Sequence, residues 1–306
     1  MKKRVISTLI MLSIIIPIVV FSSVTTYSDG FNNLGYEVTH YIFAILLYLV
    51  TAFALQEGYN ALLKDKISNK NLFEFIKWIF SILLPILPLI TYAIANGGMN
   101  ESQFLLFFIV TFTLNLISAL VLHFSKVDDF TVGTIFLINL FVMMWSFNYQ
   151  LIQRGETLGW QMFFYLTIIC ISVDSFGLIF GKNFGKKKVA PNISPNKTIE
   201  GSIGGILSST ILATTWMMVF NLDNNFFGIS QNEIGLGILY SALLSFALSL
   251  ISFSGDLLFS YFKRKNNIKD YSNLIPGHGG LLDRLDSHIV VNSVMIIPIY
   301  LSYSIL

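Results

Sequence analysis

Asp256, Asp283 and Asp286 bracket a stretch dense in cations and glycines, and the apolar runs on either side are each long enough to cross a bilayer. Lys263, Arg264, Lys265, Lys269 and Asp270 open the segment, Pro276, Gly277, His278, Gly279 and Gly280 turn it, and Asp283, Arg284 and Asp286 close it. Asp256 lies inside the preceding apolar run beside Ser254 and Gly255. A carboxylate in hydrocarbon costs roughly 2.5–3.5 kcal/mol on insertion scales, so Asp256 requires a partner, a metal ion or a polar cavity. Asp283 and Asp286 are three positions apart and share one face if the chain there is helical. With Asp256 they make a hard-oxygen set suited to Mg²⁺, an ion that keeps waters and takes one or two carboxylates plus substrate phosphates. Thiol ligands are absent and histidines sparse, which argues against zinc. Lys263, Arg264 and Lys269 would hold phosphates and offset developing charge. His278 either donates to a phosphate or stabilises the glycine turn. The bland alternative, a solvated loop with an Asp–Arg salt bridge, leaves Asp256 and Asp174 in hydrocarbon without a reason.

A second cluster starts at Asp174, within another apolar run, and continues through Gly181, Lys182, Gly185, Lys186, Lys187 and Lys188. Ser194, Pro195, Lys197, Thr198, Glu200 and Gly201 then lead into a helix, with Gly204 and Gly205 on it. Backbone N–H groups, hydroxyls and a lysine at a helix start form a cradle for phosphate oxygens. An interfacial lysine cluster drawn to anionic lipid, with glycines for helix packing, reads the same residues structurally.

Apolar helices must position these groups. The chain has 306 residues, 54% hydrophobic and 12% charged, and a mean hydropathy of +0.70, against about a quarter charged in soluble domains. This composition excludes an ordinary soluble domain and predicts an all-α polytopic membrane protein. About nine spans are expected, near 5–23, 38–55, 78–95, 103–122, 130–147, 160–180, 201–220, 235–259 and 288–305. With the N-terminus inside, this count leaves Arg154 as the one basic residue outside, and it puts the C-terminus outside. The first run is read as a retained helix rather than a cleaved signal. Residues 1–150 hold five spans without a reactive cluster, and 151–306 hold both basic loops and, on this reading, the catalytic domain. Cys170, the single cysteine, is read as packing.

At these residues the sequence resembles the phosphatidate cytidylyltransferase, or CDP-diacylglycerol synthase, family. Its C-terminal signature is matched at Ser260, Lys263, Arg264, Lys269, Asp270, Ser272, Ile275, Pro276, His278, Gly279, Gly280, Asp283, Arg284 and Asp286, and its second block runs from Asp174 to Gly205. One departure is Gly177-Leu178, where the family commonly carries Ala-Tyr; it removes no charged group. The resemblance implies synthesis of CDP-diacylglycerol and pyrophosphate from CTP and phosphatidic acid, with Mg²⁺ on Asp256 and Asp283, extended here to Asp286. The catalytic set would be Asp256, Asp283, Asp286, Lys263, Arg264 and Lys269. Substrate would be bound by Asp174, Lys182, Lys188, Ser194, Lys197, Thr198, His278, Gly279, Gly280 and Arg284. The bilayer and a homodimer mate are the implied partners, no nucleic acid is expected, and the site should face the cytoplasm at the plasma membrane. The rivals are a CTP-dependent lipid kinase or other lipid cytidylyltransferase, and an ion-coupled transporter using Asp174 and Asp256.

Overall fold

A computed structural model of the chain describes residues 33–94, 101–154, 159–229, 233–275 and 279–305. It comprises two compact units. Unit one holds α1 (Asn33–Leu63), α2 (Lys70–Ile94), α3 (Glu101–Phe124) and α4 (Asp129–Arg154), joined by the loop Lys265–Leu285 from far along the chain. Unit two holds α5 (Gly159–Phe184), a hairpin of β1 (Lys188–Ala190) and β2 (Ser194–Thr198), then α6 (Ile199–Val219) and α7 (Leu222–Phe227). It is completed by α8 (Ile234–Lys265) and, from Asp286 onward, by α9 (Leu282–Ile305).

Seven helices, α1 to α6 and α8, are long and apolar enough among the described residues to cross a membrane, which bears out a helical integral membrane protein. The expected span at 288–305 falls within α9, and the one expected at 5–23 lies outside the described residues. The lysine-rich connection after α5 folds into the antiparallel hairpin, with Lys188 opposite Thr198 and Ala190 opposite Ser194, where the sequence reading had only a loop.

Polar side chains turn inward and large apolar ones outward, the distribution lipid demands. Phe75, Leu105, Leu178 and Ile211 are exposed on their helices. Inside unit two, Tyr165 and Ser245 hydroxyls meet at 3.0 Å, Ser249 Oγ donates to Ser209 Oγ at 2.9 Å, and Ser209 Oγ donates to the Ile169 carbonyl. In unit one Asn139 Nδ2 donates to the Tyr59 hydroxyl at 2.8 Å. Where hydrocarbon surrounds the bundle, such bonds and close van der Waals fit hold helices together.

The tightest crossing is α5 on α6, and glycines create it. A Cβ on Gly201 would lie 2.6 Å from the Gly177 carbonyl oxygen and 2.8 Å from the Gly181 Cα; one on Gly205 would lie 3.0 Å from the Gly177 nitrogen. The two backbones therefore nearly touch. At Gly177 itself a Cβ would find the Gly201 carbonyl at 3.6 Å, an ordinary contact, so an alanine fits here. Gly177→Ala should leave the thermal unfolding midpoint in detergent unchanged or raised, by at most about 1 kcal/mol of helix propensity. Gly201→Ala should lower it, and equal midpoints for the two variants would contradict the crossing.

Candidate active site

In unit two the half-buried Asp256 and the buried Asp286 each stand beside a lysine, while Asp174 is exposed on α5. Asp174 sits ten residues before the end of α5 and Asp256 nine before the end of α8, about 15 Å and 13 Å along their helices at 1.5 Å per residue. Lys197, near the end of β2, forms an ion pair with Asp256 Oδ2, each side chain only 21% exposed. Its ammonium also lies over the Phe253 ring, 4.8 Å from the centroid, so aromatic and carboxylate together replace lost hydration. Ser260 Oγ, one turn beyond Asp256, approaches its Oδ1 at 3.4 Å. Deeper still, Lys263 Nζ lies 3.8 Å from Asp286 Oδ2, both side chains 9% exposed. The Asp256 and Asp174 carboxylates are near enough to repel Asp286 while Lys263 attracts it. Three carboxylates from α5, α8 and α9 thus share one field with a lysine, and a second lysine holds Asp256.

The hairpin is built to carry Lys197. Glu200 accepts from the backbone N–H groups of Lys186 at 3.0 Å and Lys187 at 3.3 Å, and Arg264 Nε donates to the Ile193 carbonyl at the turn. Thr198, expected to bind substrate, caps α6 by accepting from Gly201 N at 3.2 Å. A Cβ on Gly185 would strike its side chain at 2.7 Å. Lys197 therefore leaves the strand one residue before a fixed helix start.

In unit one the Lys265–Leu285 loop folds around Asp283, which is buried. Asp283 Oδ2 accepts from Tyr271 N at 2.8 Å and Gly280 N at 2.9 Å. Gly279 adopts φ +85°, a conformation glycine takes without strain, and a Cβ there would lie 3.0 Å from Asp283 Oδ2. Gly279 and Gly280 thus bring backbone close around a carboxylate. The loop's other partner is a residue the sequence reading passed over. Glu57, on α1, accepts from Ser272 Oγ at 2.7 Å and from Leu282 N at 2.9 Å. The sequence reading ended the apolar run at residue 55, whereas α1 continues to Leu63 and carries Glu57 within it.

Lys182, Lys188, Lys269 and Arg284 are exposed, Ser194 is half-buried in β2, and Gly280 is buried in the turn. His278 lies outside the described residues. Asp283 and Asp286 stand on one helix as their spacing implied. Among the described residues no three acidic, histidine or cysteine side chains form a ready-made metal cage. The available donors are carboxylate oxygens, and Cys170 is buried. Such a set suits an ion that is completed by waters and substrate phosphates, as Mg²⁺ is.

A helical membrane protein that pairs ammonium and carboxylate groups beside its spans is equipped to act on charged groups at the bilayer. The chain belongs to the cytidylyltransferase family, whose model matches residues 2–302, which bears out the resemblance drawn from the two motifs. It is similar to the phosphatidate cytidylyltransferase of Staphylococcus haemolyticus, 31% identical over 291 residues that cover 95% of this chain and 96% of the relative. It is also similar to that of Bacillus subtilis, 32% identical over 250 residues, 81% of this chain and 85% of the relative. The Rickettsia felis relative is 38% identical over 146 residues, 47% of this chain and 60% of that relative's length.

Removing one member of the Lys197–Asp256 pair should cost more than removing both, because a lone charge is then left in a largely apolar setting. Lys197→Met should lower stability in detergent by about 1–3 kcal/mol, and Lys197→Met/Asp256→Asn should recover part of it. Additive losses in the unfolding midpoints would contradict the pairing.

Proposed function

We propose that this chain is a phosphatidate cytidylyltransferase, which transfers the cytidylyl group of CTP to phosphatidic acid and releases pyrophosphate. The observation that carries the reading is the mixed charge cluster of Asp174, Asp256 and Asp286 with Lys197 and Lys263, carried by a membrane-spanning unit of a cytidylyltransferase-family chain. A phosphate oxygen of the lipid attacks the α-phosphorus of CTP. The bond from that phosphorus to the bridging oxygen breaks, and its electrons leave with pyrophosphate. Lipid phosphate is already anionic near neutral pH, so no protein nucleophile is needed, and positioning with charge neutralisation does the work.

Lys197 and Lys263 suit that task because each ammonium already faces a carboxylate, and a phosphate oxygen offers the same kind of partner with more charge. Mg²⁺, when bound, supplies further neutralisation at the phosphates and a fixed alignment of attacking and leaving oxygens. For the ion we retain Asp256, Asp283 and Asp286, named on sequence grounds. Asp283 is fitted to such a role by two backbone N–H bonds that keep one carboxylate oxygen in place. The acyl chains would remain in lipid along the apolar helix faces. A cytoplasmic site, with the C-terminus outside, is supported by the placement of the basic residues, and the plasma membrane belongs to the same reading. A homodimer, implied by the family resemblance, belongs to the same reading.

Membranes containing the chain, given labelled CTP, phosphatidic acid and Mg²⁺, should yield a CDP-lipid and pyrophosphate. A phosphorylated lipid with CDP as the other product would overturn the reading. Asp256→Asn and Asp283→Asn should each reduce turnover by about 10²-fold or more, the scale of losing a preorganised electrostatic group. Full turnover in either variant removes that residue from the site.

A further inference from the structure

We infer that Glu57, in the N-terminal helices to which no chemistry was assigned, is a positioning residue for the loop that carries Asp283. The inference rests on the cytidylyltransferase reading and extends it to a residue outside both family motifs. Its two carboxylate oxygens clasp the loop at points ten residues apart: Oε1 takes the Ser272 hydroxyl at 2.7 Å and Oε2 the Leu282 amide at 2.9 Å. Each clasped residue adjoins one that bears on Asp283. Tyr271, before Ser272, donates its N–H to Asp283 Oδ2, and Asp283 itself follows Leu282. Gly280 donates the second N–H, and a Cβ on it would lie 2.6 Å from Glu57 Oε2 and 2.7 Å from Ser272 Oγ. A side chain at 280 would therefore collide with the Glu57–Ser272 contact.

Leu282 is the first residue of α9, so Glu57 presents a negative charge to exposed amides at a helix start, the favourable end of its dipole. Contact continues at Gly58, where a Cβ would lie 3.3 Å from Leu282 Cδ2. The beginning of the loop is tethered from the same helices: Asn266 Oδ1 accepts from Lys66 Nζ at 3.0 Å and lies 2.6 Å from Thr131 Oγ1. Unit one thus grips the loop at Asn266, Ser272 and Leu282, and the last two fix the frame in which Asp283 is held. A displacement of about 1 Å at a reacting group can cost 10²-fold in rate, so loss of this grip should be read in kcat.

Three variants test it. Glu57→Ala should lower kcat about 100-fold. Glu57→Gln keeps an acceptor for Leu282 and lets the Ser272 hydroxyl reverse, so its loss should stay within about 10-fold. Ser272→Ala should cost less than Glu57→Ala, and the double variant no more than Glu57→Ala alone, the non-additivity of groups acting through one contact. KM for phosphatidic acid should hold steady. Hydrogen exchange of the full-length protein in detergent judges the clasp without reference to activity: amides in 271–283 should exchange faster in Glu57→Ala while those of α5 and α6 do not change. If wild-type membranes form no CDP-lipid, the reaction assignment fails and the exchange result alone decides the clasp. Unchanged exchange in 271–283, wild-type kcat in Glu57→Ala, or additive losses in the double variant would each overturn the proposal. Should Glu57→Ala not accumulate, Glu57→Gln and Ser272→Ala decide by the same exchange and kcat readings.

Discussion

An ionised carboxylate inside a membrane helix has to be answered by another charge or by hydrogen-bond donors, and this constraint organises both units. Asp256 is answered by Lys197, Asp286 by Lys263, Asp283 by two backbone amides and Glu57 by a hydroxyl and an amide. Each answer comes from a different element, so each acid ties its helix to another part of its unit. The hairpin delivers Lys197, its base held by Glu200 and its turn by Arg264. The glycines of α5 and α6 bring those helices together where the hairpin begins and ends.

The fold class and the acids of the candidate site were legible for different reasons. Long apolar runs announce spans because backbone groups in lipid must be satisfied within the helix. The acids were legible because nothing else explains them there. Orientation within the bundle was not, since α6 and α8 carry apolar residues around most of their circumference and their buried faces are marked by serine and glycine instead. Ser241, Ser245, Ser249 and Ser252 on α8 are all buried, a stripe visible only to a reader looking for small polar residues inside. The hairpin at Lys188–Thr198 was hidden as well: its strands hold three and five residues and owe their form to Glu200 and Arg264, not to alternation of apolar side chains.

Assigning roles by residue type was least reliable where one group serves two ends. Thr198 has the chemistry of a phosphate ligand, yet its hydroxyl oxygen accepts from the Gly201 amide. Gly279 and Gly280 suit a backbone that closes on phosphate, and they also close on Asp283. Glu57 was passed over because the N-terminal half offered no cluster, and a cluster is a property of the folded chain. Its partners are more than two hundred residues away in sequence.

The two lysine–carboxylate contacts differ in a way that bears on catalysis. Lys197 meets Asp256 directly in a partly exposed setting, where water and a phosphate can compete for the ammonium. Lys263 and Asp286 are more deeply buried and stand 3.8 Å apart, beyond the roughly 2.7–2.9 Å of a charge-assisted hydrogen bond. Their attraction is therefore coulombic, and it is opposed by Asp256 and Asp174. Asp256 and Asp174 repel the Asp286 carboxylate, Lys263 only partly offsets them, and additional positive charge would relieve that repulsion. An anionic substrate arriving alone would meet repulsion from those acids. On the proposed reading, one arriving with a divalent cation would bring positive charge to the acids, and binding of nucleotide and cation would then reinforce each other.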